Sequence, residues 1–246
     1  MQRRKLFTYW EGPKPEFITM CEEIIAHKVA NTFDYIRLTP ENLYQYIPTE
    51  EFPPNYHLIT KIDHKTDYLR CLLMIRYGGV WLDTDQILLN DLATIDELLN
   101  TNDYVSYEWS PQSPSLGFTA SAFIAANPQK TFFEQWRGCM SEQLSTNHEF
   151  SPGTLGYACV RPVVQQSLQD ATIKYHAFPT TSSFVPLRHD QLDCYFEPNQ
   201  CNINTQGLYS VKLFNAQFPQ WFKNASRQEI LQRDCWVSQL FRNNLP

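Results

Sequence analysis

No run of about eighteen apolar residues occurs in this chain, so nothing in it reads as a membrane-spanning helix. Its first residues also lack the pattern of a secretory leader. The expectation is a soluble, cytoplasmic protein, at most in peripheral contact with the inner face of a membrane. Positive charge is scarce: 20 Lys and Arg stand against 26 Asp and Glu, a net charge of −6, and the longest basic run is Arg3-Arg4-Lys5. A nucleic-acid binder would carry a basic face, so that class is excluded. The short run reads as a solvated terminus, with weak attraction to anionic lipid as the alternative. Cys-x-x-Cys pairs are missing and the seven cysteines are an odd count, which argues against a disulfide framework and a structural zinc site. Reduced thiols follow, with Cys71 in the core and a Cys194–Cys201 pair as the less favoured alternative. Repeats and low-complexity linkers are also absent.

What is present is a globular balance, 43% hydrophobic and 19% charged residues in a chain of 246. A chain of this size buries roughly 70–75% of its unfolded surface and needs no covalent staple. Periodicity and turn signals predict strands over 6–10, 32–38, 80–83, 103–108 and 118–125, with 86–89 extended. Helices are predicted over 16–28, 65–77, 93–99 and 127–143, with a short one from Pro40 to Tyr46. A helix over 154–168 should kink or break at Pro162. Further strands are expected over 173–178 and 208–214, and one final amphipathic helix over 226–241. The alternation in the first half favours a mostly parallel sheet. The expectation is one α/β domain over 1–246, with a donor-binding half to about residue 125 and a more irregular acceptor-side half beyond it.

The chemistry concentrates around Asp83-Thr84-Asp85, directly after the apolar Val80-Trp81-Leu82. In an open α/β sheet, ligands collect outside the carboxyl ends of strands. Two carboxylates there suit a hard divalent cation that bridges to phosphate oxygens; a polar turn is the plainer reading. Context narrows the choice. Arg70 lies in the otherwise apolar run 68–75, where a buried cation needs a partner. Asp67 lies three residues earlier, on the same helical face. A structural pair, or a pair that also holds a sugar and its phosphate, are both consistent with this spacing. Gly78-Gly79 closes the helix and delivers the chain to the strand ending in Asp83. Trp10, at the end of the first strand, can stack on a flat base or cap the core.

Asp67-Tyr68-Leu69-Arg70, followed by Tyr77-Gly78-Gly79-Val80-Trp81-Leu82-Asp83-Thr84-Asp85, resembles the DXD sugar transferases: the capsular polysaccharide synthesis proteins, glycosyltransferase family 32 and the glucosyltransferase domains of large clostridial toxins. Thr8-Tyr9-Trp10-Glu11-Gly12 looks most like the capsular group. The resemblance covers about residues 6–89, and thins afterwards to phrases at 121–128, 152–155 and 208–215. It implies a GT-A-like fold with a Rossmann-type nucleotide-binding sheet, and a nucleotide-sugar donor, UDP-sugar favoured. The acceptor would be a glycan or lipid-linked glycan in polysaccharide synthesis, and the reaction would be retaining. It implies that Trp10 stacks on the base, Asp67 and Arg70 hold the sugar and phosphate side, and Trp81 lines the donor pocket. Asp83, Asp85 and Arg70 are the implied catalytic set, with Mn2+ (or Mg2+) on Asp85, Asp83 and Asn215.

The chain departs from that pattern in one place. Where relatives carry a late histidine, Val211-Lys212-Leu213-Phe214-Asn215 has lysine, which could contact a diphosphate as a point charge. His176 and His189 remain alternatives, though each is more simply structural. An inverting route would need a carboxylate base, for which Glu108 and Glu142 are the candidates. Acceptor contacts are expected in 110–116 and 178–197, where Trp109, Phe184, Tyr195 and Phe196 either stack on sugars or fill the core. Two other classes stay open: an aspartate-nucleophile phosphatase, since Leu82-Asp83-Thr84-Asp85 is similar to its motif, and a non-catalytic glycan-binding protein on the same fold.

Overall fold

The computed structural model describes residues 3–107, 122–146, 150, 153–198 and 203–246. In chain order the elements are β1 (Lys5–Tyr9), α1 (Glu16–Val29), β2 (Asp34–Leu38), α2 (Ile62–Arg76), β3 (Gly79–Leu82), β4 (Gln86–Leu88), α3 (Ala93–Leu98), β5 (Tyr104–Tyr107), β6 (Phe123–Ala126), α4 (Thr131–Thr146) and α5 (Tyr157–Gln169). Then follow β7 (Tyr175–Phe178), α6 (Asp193–Phe196), β8 (Ser210–Lys212), α7 (Gln220–Lys223), α8 (Arg227–Gln232) and α9 (Trp236–Asn244).

Six strands form one sheet in the order β2-β1-β3-β6-β5-β7, and β4 pairs with β8 in a separate ribbon. In the sheet β6 runs antiparallel to both of its neighbours, while the remaining pairings are parallel. The sheet is therefore mostly parallel, as the strand–helix alternation predicts. Side chains alternate across its faces. Leu6, Val80, Leu82 and Phe123 pack with α1, the β4–β8 ribbon and α9. Phe7, Trp81, Ile124 and Ala126 pack with α2, α4 and α5. The sheet is buried on both sides, which explains the continuous apolar reading of Val80-Trp81-Leu82.

Three expectations need correction. The predicted final helix is two: α8 ends at Arg233, whose ψ of 143° is extended, and α9 begins after Cys235. The Arg242 guanidinium donates to the carbonyls of Leu231 and Arg233 at 2.6 and 2.9 Å, which satisfies the end of α8 and holds the break. The start of α8 carries a Ser226–Glu229 capping box. Pro162 does not break α5, which runs through it. Pro162 and Ala158, whose carbonyl loses its helical partner, both lie on the exposed face where water can serve. Finally, α2 starts at Ile62, three residues earlier than predicted.

Candidate active site

The site assembles at the carboxyl edge of the sheet. β1 and β3 pair in parallel, Phe7 opposite Trp81, so Trp10 and Asp83 emerge from adjacent strands at the same edge. Gly78 and Gly79 make the required approach possible. Their φ values of +60° and +84° are left-handed, and a Cβ on Gly79 would overlap the Lys5 carbonyl oxygen. The two glycines thus do more than cap α2: they let β3 lie against β1.

Arg70 is the hub. Its side chain is 4% exposed. Nε donates to the Thr66 carbonyl at 3.0 Å and Nη2 to Thr66 Oγ1 at 3.0 Å. Asp67 and Asp83 each place a carboxylate oxygen 3.5 Å from the guanidinium. The guanidinium also lies over the Trp81 ring, 5.1 Å from its centre, a favourable cation–π position. Trp81 Nε1 donates to Asp83 Oδ1 at 2.9 Å. The Asp67–Arg70 pair predicted from helical spacing is therefore present, and it reaches across to β3.

Lys212 occupies the centre. Its ammonium donates to Asp83 Oδ2 at 2.8 Å and to Asp85 Oδ1. Asp85 Oδ2 accepts from the Asn215 backbone N–H at 2.9 Å. Phe214, just before Asn215, has φ +50°; this left-handed turn brings the Asn215 amide round to Asp85, at a steric cost for a non-glycine residue. Burial by itself would raise the Asp83 pKa, but Lys212 and Arg70, with the hydrogen bonds from Lys212 and Trp81, hold it below the usual carboxylate range. For Lys212, burial would lower the pKa, but Asp83 and Asp85 outweigh it and hold it above the usual lysine value.

These groups line a cleft of about 320 Å³, which also receives Trp10, Asp67, Trp81 and Asn215. A second cleft of about 380 Å³ shares Trp10 and Asn215 and continues past Lys14 and Lys223. Two polar atoms on that shared wall, Trp10 Nε1 and Asn215 Oδ1, are buried without a hydrogen-bond partner among the described residues. All the predicted donor-side residues thus share one cleft.

Other candidates fall elsewhere. His176 meets Phe178 edge-to-face in β7, and His189 packs near Phe214; neither lines either cleft. Glu142 is exposed on α4 and lines neither. Phe184 and Tyr195 are fully buried in the core, and Phe196 packs among Phe218, Trp221 and Phe222, so core packing is their role. Glu108, Trp109, 110–116 and Cys201 lie outside the described residues. Sequence reasoning missed three features. Gly156, at the N-terminus of α5, sits so close to Asp67 that a Cβ there would be 2.6 Å from Oδ2. Lys65 donates to Glu11 at 2.7 Å, as does Tyr9 at 2.5 Å, which ties the end of β1 to α2. Tyr157, 39% exposed, rims the cleft.

A divalent cation does not fit this donor set as it is arranged. The Lys212 ammonium stands between Asp83 and Asp85, bonded to one oxygen of each, and its positive charge opposes a second cation there. Among the described residues, no three His, Cys, Asp or Glu side chains are grouped to hold a metal.

The fold and the cleft define a GT-A-type architecture. Two solved glycosyltransferases share it. PaToxG glycosyltransferase matches with TM-score 0.51 and 13% identity, over 68% of this chain and 70% of that one. Apo-form GlyE from Streptococcus pneumoniae TIGR4 matches with TM-score 0.53 and 13% identity, over 99% and 60%. At such identities the likeness is one of fold. The chain belongs to the capsular polysaccharide synthesis protein family, whose pattern matches residues 2–183. A curated relative, glycosyltransferase afumC of Aspergillus fumigatus, is 27% identical over 112 residues, 42% of this chain and 29% of that protein. This chain therefore spans well under two thirds of that relative's length.

Proposed function

We propose that the protein is a glycosyltransferase that moves a hexose from a nucleoside-diphosphate sugar, UDP-sugar favoured, to a hydroxyl of a glycan or lipid-linked glycan in polysaccharide synthesis. The observation that carries this is the convergence of Arg70, Lys212, Asp67 and Asp83 on one cleft walled by Trp10. A leaving diphosphate gains negative charge as its bond to the sugar breaks, and preorganised cations at that position stabilise the transition state. Arg70, held by Thr66, Asp67 and Trp81, needs little reorganisation to serve. Trp10 offers a ring for the base, and the adjoining cleft gives length for a nucleotide beside the sugar.

The retaining course implied by the resemblance is part of the proposal. No carboxylate base is required in it, because the departing phosphate accepts the acceptor's proton. The Mn2+ (or Mg2+) expected on Asp85, Asp83 and Asn215 has one point of support, the unpartnered Asn215 Oδ1, and one obstacle, Lys212. The division into a donor half and an acceptor half is kept with one amendment: Lys212 and Asn215, from the second half, belong to the donor side. Among the described residues, no helix is long and apolar enough to cross a membrane; cytoplasmic work on a membrane-borne acceptor is proposed with the rest.

The test is donor hydrolysis across UDP-, GDP- and CMP-sugars, with manganese and with chelator. Release of free sugar from one class supports the reading. Failure of every donor to turn over, together with failure of every nucleoside diphosphate to bind, overturns it.

A further inference from the structure

The family match ends at residue 183, and Lys212 lies beyond it. Several contacts fix its place. β8 pairs antiparallel with β4, setting Lys212 opposite Gln86. The Leu213 amide donates to the Asp85 carbonyl at 2.8 Å, and the Tyr195 hydroxyl donates to the Lys212 carbonyl at 2.5 Å. The side chain is only 12% exposed, so it is not a mobile surface lysine that happens to swing inward. The backbone delivers its ammonium to the cleft between the two acidic side chains.

From this geometry we infer that Lys212 is a built-in cation that takes the place of a divalent metal at Asp83 and Asp85, so that the site binds a nucleoside diphosphate without metal. The inference rests on the donor-site reading above and states how that site handles charge. A magnesium-sized ion binds oxygen at about 2.0–2.1 Å and needs several such ligands. Here two carboxylate oxygens are held by the ammonium, and the other two accept from Trp81 Nε1 and the Asn215 amide, each at 2.9 Å. Metal entry would have to displace Lys212 and then tolerate its charge nearby. An ammonium has three N–H donors. Two anchor it to Asp83 and Asp85, and the third is available to a phosphate oxygen in the cleft that Lys212 lines. One positive charge replaces two, which leaves a larger share of the diphosphate to Arg70, which lies 3.5 Å from the other oxygen of Asp83.

The test is binding. Manganese uptake is followed by electron paramagnetic resonance on the nucleotide-free protein, and UDP, GDP and CDP binding by calorimetry, in chelator and in manganese. For the wild type, the expected results are no stoichiometric manganese uptake and one dissociation constant for the favoured diphosphate in both buffers. Lys212→His and Lys212→Ala should take up one manganese and bind that diphosphate at least about tenfold more tightly with manganese than with chelator. A wild type that binds one manganese, or whose diphosphate affinity rises about tenfold with manganese, overturns the inference while leaving the donor-site reading intact. Should no diphosphate bind in either buffer, the donor-site reading falls. The inference, which rests on that reading, then falls with it. If the variants do not fold, the wild-type titrations decide it by themselves: diphosphate binding unchanged by manganese, without manganese uptake, supports it, and uptake overturns it.

Discussion

The Arg70 guanidinium lies 5.1 Å from the centre of the Trp81 ring, joining the buried face of α2 to β3, the strand that Asp83 follows. This one relationship explains why an arginine persists in an apolar helix. It is covered by an aromatic face, hydrogen-bonded to Thr66, and flanked by carboxylates on two elements. A lysine would keep the charge but lose the planar fork and the stacking. Arg70→Lys should lower donor turnover by about 10²–10³-fold, measured as kcat for donor hydrolysis. Turnover within about threefold of wild type would remove Arg70 from its proposed role.

Trp10 tests the nucleotide end. Its ring is only partly buried, and it lines both clefts. Base stacking on an aromatic ring contributes about 1–3 kcal/mol, so Trp10→Ala should weaken nucleoside diphosphate binding by about tenfold to a hundredfold, while Trp10→Phe keeps part of it. Calorimetric titration reads this directly. Equal affinity in all three proteins would assign Trp10 to packing alone.

Gly156 supports Asp67 from behind. A methyl group there would lie 2.6 Å from Asp67 Oδ2, so Gly156→Ala must displace the carboxylate or the start of α5. KM for the donor should rise by about tenfold. Gly138 is the control: it lies on the exposed face of α4, where among the described residues nothing comes within 4 Å of an added methyl group. Gly138→Ala should leave KM alone and stabilise the fold by about 0.5–1 kcal/mol.

Asp103 carries a pH signature away from the cleft. It accepts from the Lys174 amide at 2.9 Å and pairs with Lys130 at 2.6 Å, joining β5 to the approach to β7 and to α4. Burial works to raise its pKa, but the Lys130 and Lys174 hydrogen bonds outweigh that and hold it below the usual aspartate range. Its contribution is therefore complete above the unfolded value of about 3.9 and is lost as pH falls through the lower folded value. Asp103→Asn should cost about 1 kcal/mol at pH 7, and the difference from wild type should vanish in strong acid. Urea melts at several pH values measure both. A gap that persists unchanged into strong acid would assign the loss to something other than the carboxylate's charge.

Much of the candidate site was legible because its signals are local. The Asp67–Arg70 spacing, the Gly78-Gly79 turn and the carboxylates at a strand end lie within one continuous stretch, and helical periodicity places the first pair on one face. The split between α8 and α9 was not legible, because Arg242 holds the break from nine and eleven residues away. Nor did periodicity reveal that Phe184 and Tyr195 belong to the core, since an aromatic side chain carries the same pattern whether it meets a ligand or another ring.

By itself the sequence determined the alternation that builds a mostly parallel sheet, and the cation and carboxylates that had to be satisfied at its edge. Only the tertiary structure decided what satisfies them. Lys212 follows Asp85 by 127 residues, and it reaches the site because β8 pairs with β4, with Lys212 opposite Gln86 and the Leu213 amide donating to the Asp85 carbonyl. The opposite charges meet through backbone pairing across the chain, which sets Lys212 between the two carboxylates of the candidate site.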